Sequence, residues 1–240
     1  MNPQPNGNGQ AIGDLPALVD GRVHSWSCTA PKISSSRVLR VHKYTDPEKV
    51  RPVIRQAAED AVEAATHLST PVGRYVAAPI KSLQDGVLTL DNGLQFTCHA
   101  FEDHLRGCEF FLAFLITLGP ELDDRVISLI HDTFEPLDAL FLETTGWLTI
   151  EAVTRQLVQE LKVEANANGW RLSLRMAPGY NYRGPNDDER IDWDLYEQRE
   201  LFAMFDSPEL PIELMESCAM KPKMSRSGVF GLYPAPTKAG

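Results

Sequence analysis

Apolar and polar positions alternate along this chain with two periods, one helical and one strand-like. Val50, Val53, Ile54, Ala57, Ala58, Ala61, Val62, Ala65 and Leu68 recur at the three- and four-residue spacing of a single helix face. The Thr45-Asp46-Pro47-Glu48 run ahead of them places a proline and acids in a first turn, so the pattern predicts an amphipathic helix of about six turns. Before it, Val38, Leu39 and Val41 form a short apolar segment. Residues 86–97 read as two short strands joined at Asp91-Asn92-Gly93, because Asn-Gly tolerates the positive φ of a tight hairpin. Residues 101–108 have helical character. Residues 110–118, FFLAFLITL, form a continuous apolar run of strand length, which predicts a strand buried on both faces.

Gly119-Pro120-Glu121 stops that run. Two helices are predicted next, over about 121–131 and 136–165, the second with a core stripe of Leu137, Leu140, Phe141, Thr144, Leu148, Val153, Leu157 and Leu161. Gly169 ends it. Further on, 172–175 reads as a strand, 193–205 as a helix, and 212–216 and 229–233 as short strands. Helices and strands interleave without a repeated βαβ rhythm, so the fold class is α+β with a mixed sheet and no internal repeat.

Composition narrows the function. Among 240 residues, 23 Lys and Arg face 33 Asp and Glu, a formal charge of −10 that repels phosphate backbones and argues against nucleic acid. The uncharged run 110–120 is well short of the ~20 residues of a spanning helix. Residues 1–20 lack the basic and apolar regions of a signal peptide, and Cys28, Cys98, Cys108 and Cys218 have no framework spacing, so a reduced cytoplasmic protein is expected. The opening MNPQPNGNGQAIGDLP has little to bury, which predicts a flexible tail over 1–35 and one domain over 36–240. Gly7, Gly9 and Gly13 in that tail follow no strand and do not read as a dinucleotide-binding loop.

Most chemistry-bearing residues have an ordinary explanation. His104 and Cys108 would share a helix face near Cys98 and His99, but the paired close spacings of structural zinc are missing, and packing or capping accounts for all four. No Gly-x-Ser-x-Gly, phosphate-loop or His-Glu-x-x-His run occurs. The acids Asp123-Asp124 and Asp187-Asp188-Glu189 read as solvated charges. Arg175-Met-Ala-Pro-Gly-Tyr180 is different: a cation at a strand end, a rigid turn and then an aromatic ring. Arginine can pair with a carboxylate, the turn can offer backbone groups to a heterocycle, and tyrosine can stack or approach a cation, which suits a small zwitterionic ligand. From chemistry alone the plainer reading of the same residues is a strand-ending arginine in a surface ion pair with a turn behind it. In 216–228, Lys221, Lys223 and Arg226 form either a surface loop or a basic patch that steers an anionic partner.

Taken in order, R-x-A-P-G-Y at 175–180, Trp193-x-Leu195-x-x-Gln198 with Leu201-Phe202, and L-x-E-S-x-A-M-x-P-x-x-S-x-S-G at 214–228 resemble the activation region of cobalamin-dependent methionine synthase. Thr117-Leu-Gly-Pro-Glu121 resembles the T-x-G-x-E element of stand-alone members of that family, and the likeness runs over about 37–233. The resemblance implies a single C-shaped domain with a twisted, mainly antiparallel sheet that binds S-adenosylmethionine. In that family an electron donor reduces inactive cob(II)alamin and the bound S-adenosylmethionine remethylates it. By position, Arg175 would hold the methionyl carboxylate, Ala177 would contact the ligand through its backbone, and Gly179 and Tyr180 would shape and line the pocket. Glu151 falls where the family has an acid near the ligand. No cysteine cluster surrounds Cys218, so a resident iron-sulfur centre is not expected. The stretch 181–192 is longer than in compact relatives, with Asp187, Asp188 and Glu189 at the pocket rim.

The function so implied is that of a stand-alone reactivation subunit of a split methionine synthase. It would dock on a separate cobalamin-carrying protein and use a flavodoxin- or ferredoxin-like electron donor. The alternatives are an adaptor of a corrinoid protein that has lost S-adenosylmethionine binding, and an activator of another corrinoid methyltransferase.

Overall fold

The computed structural model describes residues 17–46, 49–184, 190–205, 209 and 211–236. Its centre is β5 (Phe110–Thr117), in which all eight residues are buried. Alternation explains why: Phe110, Leu112, Phe114 and Ile116 point into one core, and Phe111, Ala113 and Leu115 into another on the opposite face. On either side run β2 (Val72–Gln84) and β11 (Ser225–Pro234), both antiparallel to β5. The sheet continues outward through β3 (Val87–Leu90) and β4 (Gln95–Thr97) on one side and β6 (Trp170–Leu172) on the other. Strand β1 (His24–Ser27) pairs with the first half of β2, and a register shift between Ile80 and Ser82 turns the second half toward β3. Helices and an antiparallel sheet are thus mixed, as the pattern predicts.

The first core lies under α1 (Ser35–Val41), α2 (Pro52–Leu68), α4 (Glu121–His131) and α5 (Pro136–Ala167). The segment holding Val38, Leu39 and Val41 is itself a helix, capped by the Ser34 hydroxyl, which accepts from the Arg37 N–H at 3.3 Å. Helix α2 begins at Pro52 and not at 45–48, so it is shorter than the periodicity alone suggests. A helix begun at Pro47 would carry Pro52 in its interior at a cost of ~3 kcal/mol, whereas at the first helical position its missing N–H costs nothing.

Helix α5 has the predicted length but a rotated stripe. Leu140 is 48% exposed, while Thr145, Thr149 and Thr154 are buried. Each threonine hydroxyl donates to the carbonyl one turn back, on Phe141, Thr145 and Ile150, at 2.7–2.8 Å. Such back-bonding satisfies the polar atom inside the core and is invisible to a hydrophobicity pattern.

The second core lies under α3 (Phe101–His104), α6 (Gln198–Ala203) and the two-stranded ribbon β7 (Asn181–Arg183) and β8 (Arg190–Asp192). Several elements here are shorter than expected. Helix α3 stops ahead of Gly107, which takes φ +77°. In the 193–205 region a 3₁₀ turn (Leu195–Glu197), capped by Asp194, precedes the six residues of α6. The 172–175 strand ends at Leu172, and 212–216 reduces to β9 (Glu213–Leu214) paired with β10 (Met220–Lys221). The 91–93 hairpin turn puts Gly93 alone at positive φ, its N–H donating to Leu90 O at 2.9 Å. Residues 17–35 pack against the fold, with Leu18, Val19 and Ile33 buried, so the packed structure begins inside the segment whose composition suggests a tail. Residues 1–16 and the acids Asp187, Asp188 and Glu189 lie outside the described residues.

Candidate functional site

One strand sets the site. Along β11, Arg226 faces the α5 side of the sheet and Ser227 faces the α6 side, and Gly228 and Val229 follow. The segment 175–177 lies against this stretch through paired backbone bonds, Met176 N–H to Val229 O at 2.9 Å and Val229 N–H to Met176 O at 2.7 Å. Gly228 permits the approach: a Cβ there would meet Phe114 ring carbons at 2.6 Å and Met176 O at 3.4 Å.

Beyond Met176 the chain turns at Pro178-Gly179, with Gly179 at φ +83° and a Cβ position only 3.0 Å from Leu195 Cδ1. Gly179 N–H donates to Trp193 O at 2.8 Å, and Trp193 N–H to Tyr180 O at 3.0 Å. Trp193 is fully buried, edge-on to Phe101, and its indole N–H donates to Glu197 at 3.0 Å. The same Glu197 oxygen accepts from Thr97 N–H at 2.8 Å, tying the turn to β4. Burial pushes the Glu197 carboxyl above its ordinary range, and these two bonds offset only part of that.

Around the turn is a cavity of about 90 Å³ lined by Arg175, Met176, Ala177, Tyr180, Asn181, Tyr182, Arg226 and Ser227. Three of the residues singled out from sequence, Arg175, Ala177 and Tyr180, therefore share one cavity. Gly179 shapes the turn without lining it. Glu151, on α5, joins through Arg226, with which it forms an ion pair, and Arg155 approaches its other oxygen at 3.5 Å. Partial burial raises the Glu151 carboxyl, but the Arg226 hydrogen bond and charge, then Arg175 and Arg155, outweigh it and hold the group below its ordinary range.

Arg175 is half-buried and has no hydrogen-bond or ion-pair partner among the described residues. Its neighbour Arg226, 17% exposed, is already committed to Glu151. The ring of Tyr180 is 57% exposed at the mouth. Ser227 donates its hydroxyl to Gln198 Oε1 at 3.0 Å, both groups buried, which locks β11 to α6.

The basic patch expected at 221–226 is largely neutralised. Lys223 pairs with Glu143 through its ammonium and donates its backbone N–H to Asp123, and Arg226 turns inward to Glu151. Lys221 alone of the three has no partner among the described residues. Arg226 thus belongs to the cavity and not to a steering surface. Tyr182, Asn181 and Ser227 also line the cavity without having been anticipated. Arg226 and Ser227 carry a signal in the S-x-S-G run itself, whereas Tyr182 becomes visible only through its contacts. Thr117-Leu-Gly-Pro-Glu121 lies elsewhere: the Thr117 hydroxyl and the Leu118 N–H both donate to Met224 O, fastening the end of β5 to the loop before β11.

No family model and no curated protein sequence matches this chain. Among solved structures it is similar to the crystal structure of the MetH reactivation domain bound to AdoHcy, at 15% identity and a TM-score of 0.64, over 98% of this chain and 86% of that one. At that identity the likeness concerns the fold, and the mixed helices and antiparallel sheet described above are the fold of that reactivation domain.

Proposed function

We propose that the chain binds S-adenosylmethionine at the 175–182 cavity and serves as the reactivation component of a cobalamin-dependent methyltransferase, methionine synthase first among them. Arg175 carries the reading: a half-buried guanidinium with no partner among the described residues, in the cavity of a fold shared with a domain that holds AdoHcy in its crystal structure. A cation left unpaired beside low-dielectric walls is set to receive a carboxylate in two parallel bonds. Glu151 supports it by neutralising Arg226, so that only one of the two guanidinium groups remains to be matched.

The other groups suit the rest of such a ligand. The Ala177 N–H and C=O, which the Tyr182 hydroxyl bridges in this structure, are an adjacent donor and acceptor that match a heterocycle edge once the phenol leaves, and the open face of Tyr180 can lie against a sulfonium. S-adenosylmethionine would supply the activated methyl group, and a corrinoid on a partner protein would accept it, with a flavodoxin- or ferredoxin-like protein as electron donor. This chain's own contribution would be placement: Arg175 would hold one end of the ligand and the rigid 178–179 turn would support the other, restricting its orientation for methyl transfer.

The volume favours a second reading. About 90 Å³ is below the ~300–1,000 Å³ usual for a ligand pocket, as expected of an adaptor that keeps the fold without the ligand. Calorimetry decides between them. S-adenosylmethionine should bind the wild type, and Arg175→Ala should weaken binding by about 10- to 100-fold, the worth of a charge-assisted hydrogen bond. No heat and no thermal shift at millimolar ligand would leave the adaptor.

A further inference from the structure

We propose that Tyr182 is a built-in competitor for the ligand: its hydroxyl occupies the Ala177 backbone groups, and a ligand fills the cavity only when the β7–β8 ribbon draws the phenol away. This rests on the reading of the cavity as an S-adenosylmethionine site. The Ala177 N–H donates to the Tyr182 hydroxyl at 2.7 Å, and the same hydroxyl donates to Ala177 O at 3.0 Å. A single phenol, which can accept and donate at once, thus satisfies both polar groups of one residue. Ala177 is buried, so its N–H and C=O would be costly to leave bare, and whatever displaces the phenol must bring its own donor and acceptor.

Cavity size fits this arrangement. Tyr182 is 8% exposed and one of the cavity walls, so its side chain takes up space that a nucleoside would need. Its ring stands edge-on to His104, 5.9 Å between centroids, and His104 Nε2 is buried without a hydrogen-bond partner among the described residues. The phenol is therefore held on one side by two hydrogen bonds and on the other by packing alone. Its strand belongs to a separate two-stranded ribbon whose ladder is continued by the backbone bonds between 179–180 and Trp193, and which meets the body through the packing of Tyr182 and Ile191 on the second core. Because the ribbon is not hydrogen-bonded into the main sheet, it can shift without unpairing that sheet.

Removing the hydroxyl while keeping the ring should raise affinity, because the free state loses its internal partner and the liganded state does not. We expect Tyr182→Phe to bind S-adenosylmethionine about tenfold more tightly than wild type, roughly 1.4 kcal/mol, by calorimetry on the full chain. Arg175→Ala should weaken it. If wild type binds and Tyr182→Phe binds no better, the competitor role is overturned and the site stands. If neither binds at millimolar ligand while both remain folded by circular dichroism, the site falls and the competitor with it. A second measurement needs no variant: the Ala177 amide should exchange slowly with deuterium in free wild type, and exchange at the rate of an open amide would overturn the proposal.

Discussion

Replacing Gly228 by alanine tests how tightly the site is built into the sheet. Gly228 stands directly opposite Phe114 in the β11–β5 pairing. A methyl at its Cα would lie 2.6 Å from both Cε1 and Cζ of that ring. Carbon atoms settle at ~3.5–4.0 Å, so the ring would have to retreat by about 1 Å. Phe114 is fully buried and stacked on Phe230 with centroids 6.0 Å apart, which leaves it little room. Overpacking of this kind costs ~1–3 kcal/mol, and the lower entropy of an unfolded alanine returns ~0.4–1 kcal/mol. The expected net loss is about 1–2 kcal/mol, read from the urea midpoint at unchanged m-value. Phe114→Leu should relieve the clash, so the double variant should be more stable than the sum of the single effects by about 1 kcal/mol. A Gly228→Ala protein within 0.5 kcal/mol of wild type, by the ±0.5 kcal/mol scale of neutral changes, would refute the reasoning, as would strict additivity.

Two further outcomes follow from the charges. Because Glu151 titrates lower in the folded protein than its ordinary range near ~4.3, its ion pair contributes stability that is fully present above that range and is lost as pH falls through the depressed value. The stability gap between wild type and Glu151→Gln should therefore close on acidification, and a gap that widens would contradict the assignment. Burial pushes the Cys108 thiol up to about 11. At pH 8 roughly one molecule in a thousand then carries the thiolate, so alkylation should run about a hundredfold slower than for a free cysteine, and equal rates would place Cys108 in a different environment.

Periodicity and continuous apolar runs were legible where a segment's environment is uniform along its length. Strand β5 and helix α4 follow the pattern because the burial of each repeats along its length, and α5 has the predicted extent. The short elements of the last third were not legible in this way. Helix α6 covers six residues, β9 and β10 two each, and their positions depend on what they dock against, above all Trp193 and its bond to Glu197. The stripe on α5 was misplaced for a related reason. Three hydroxyls bonded to their own helix behave as core residues, and a hydropathy pattern treats them as polar.

The site divides along the same line. Arg175, Ala177, Gly179 and Tyr180 are consecutive or nearly so, and a turn with a cation before it and a ring after it is a local arrangement that residue types alone describe. By itself the sequence determined that turn, the double-sided central strand and the acidic balance of −10. Only the tertiary structure decided which charges remain free. Arg226 and Lys223 read as a basic patch until Glu151 and Glu143, 75 and 80 residues away along the chain, are brought beside them. The same holds for Tyr182, whose hydroxyl meets Ala177 because the turn folds back on itself. Charge pairing and hydrogen bonding act over a few ångströms in space, and separation along the chain leaves no trace of them.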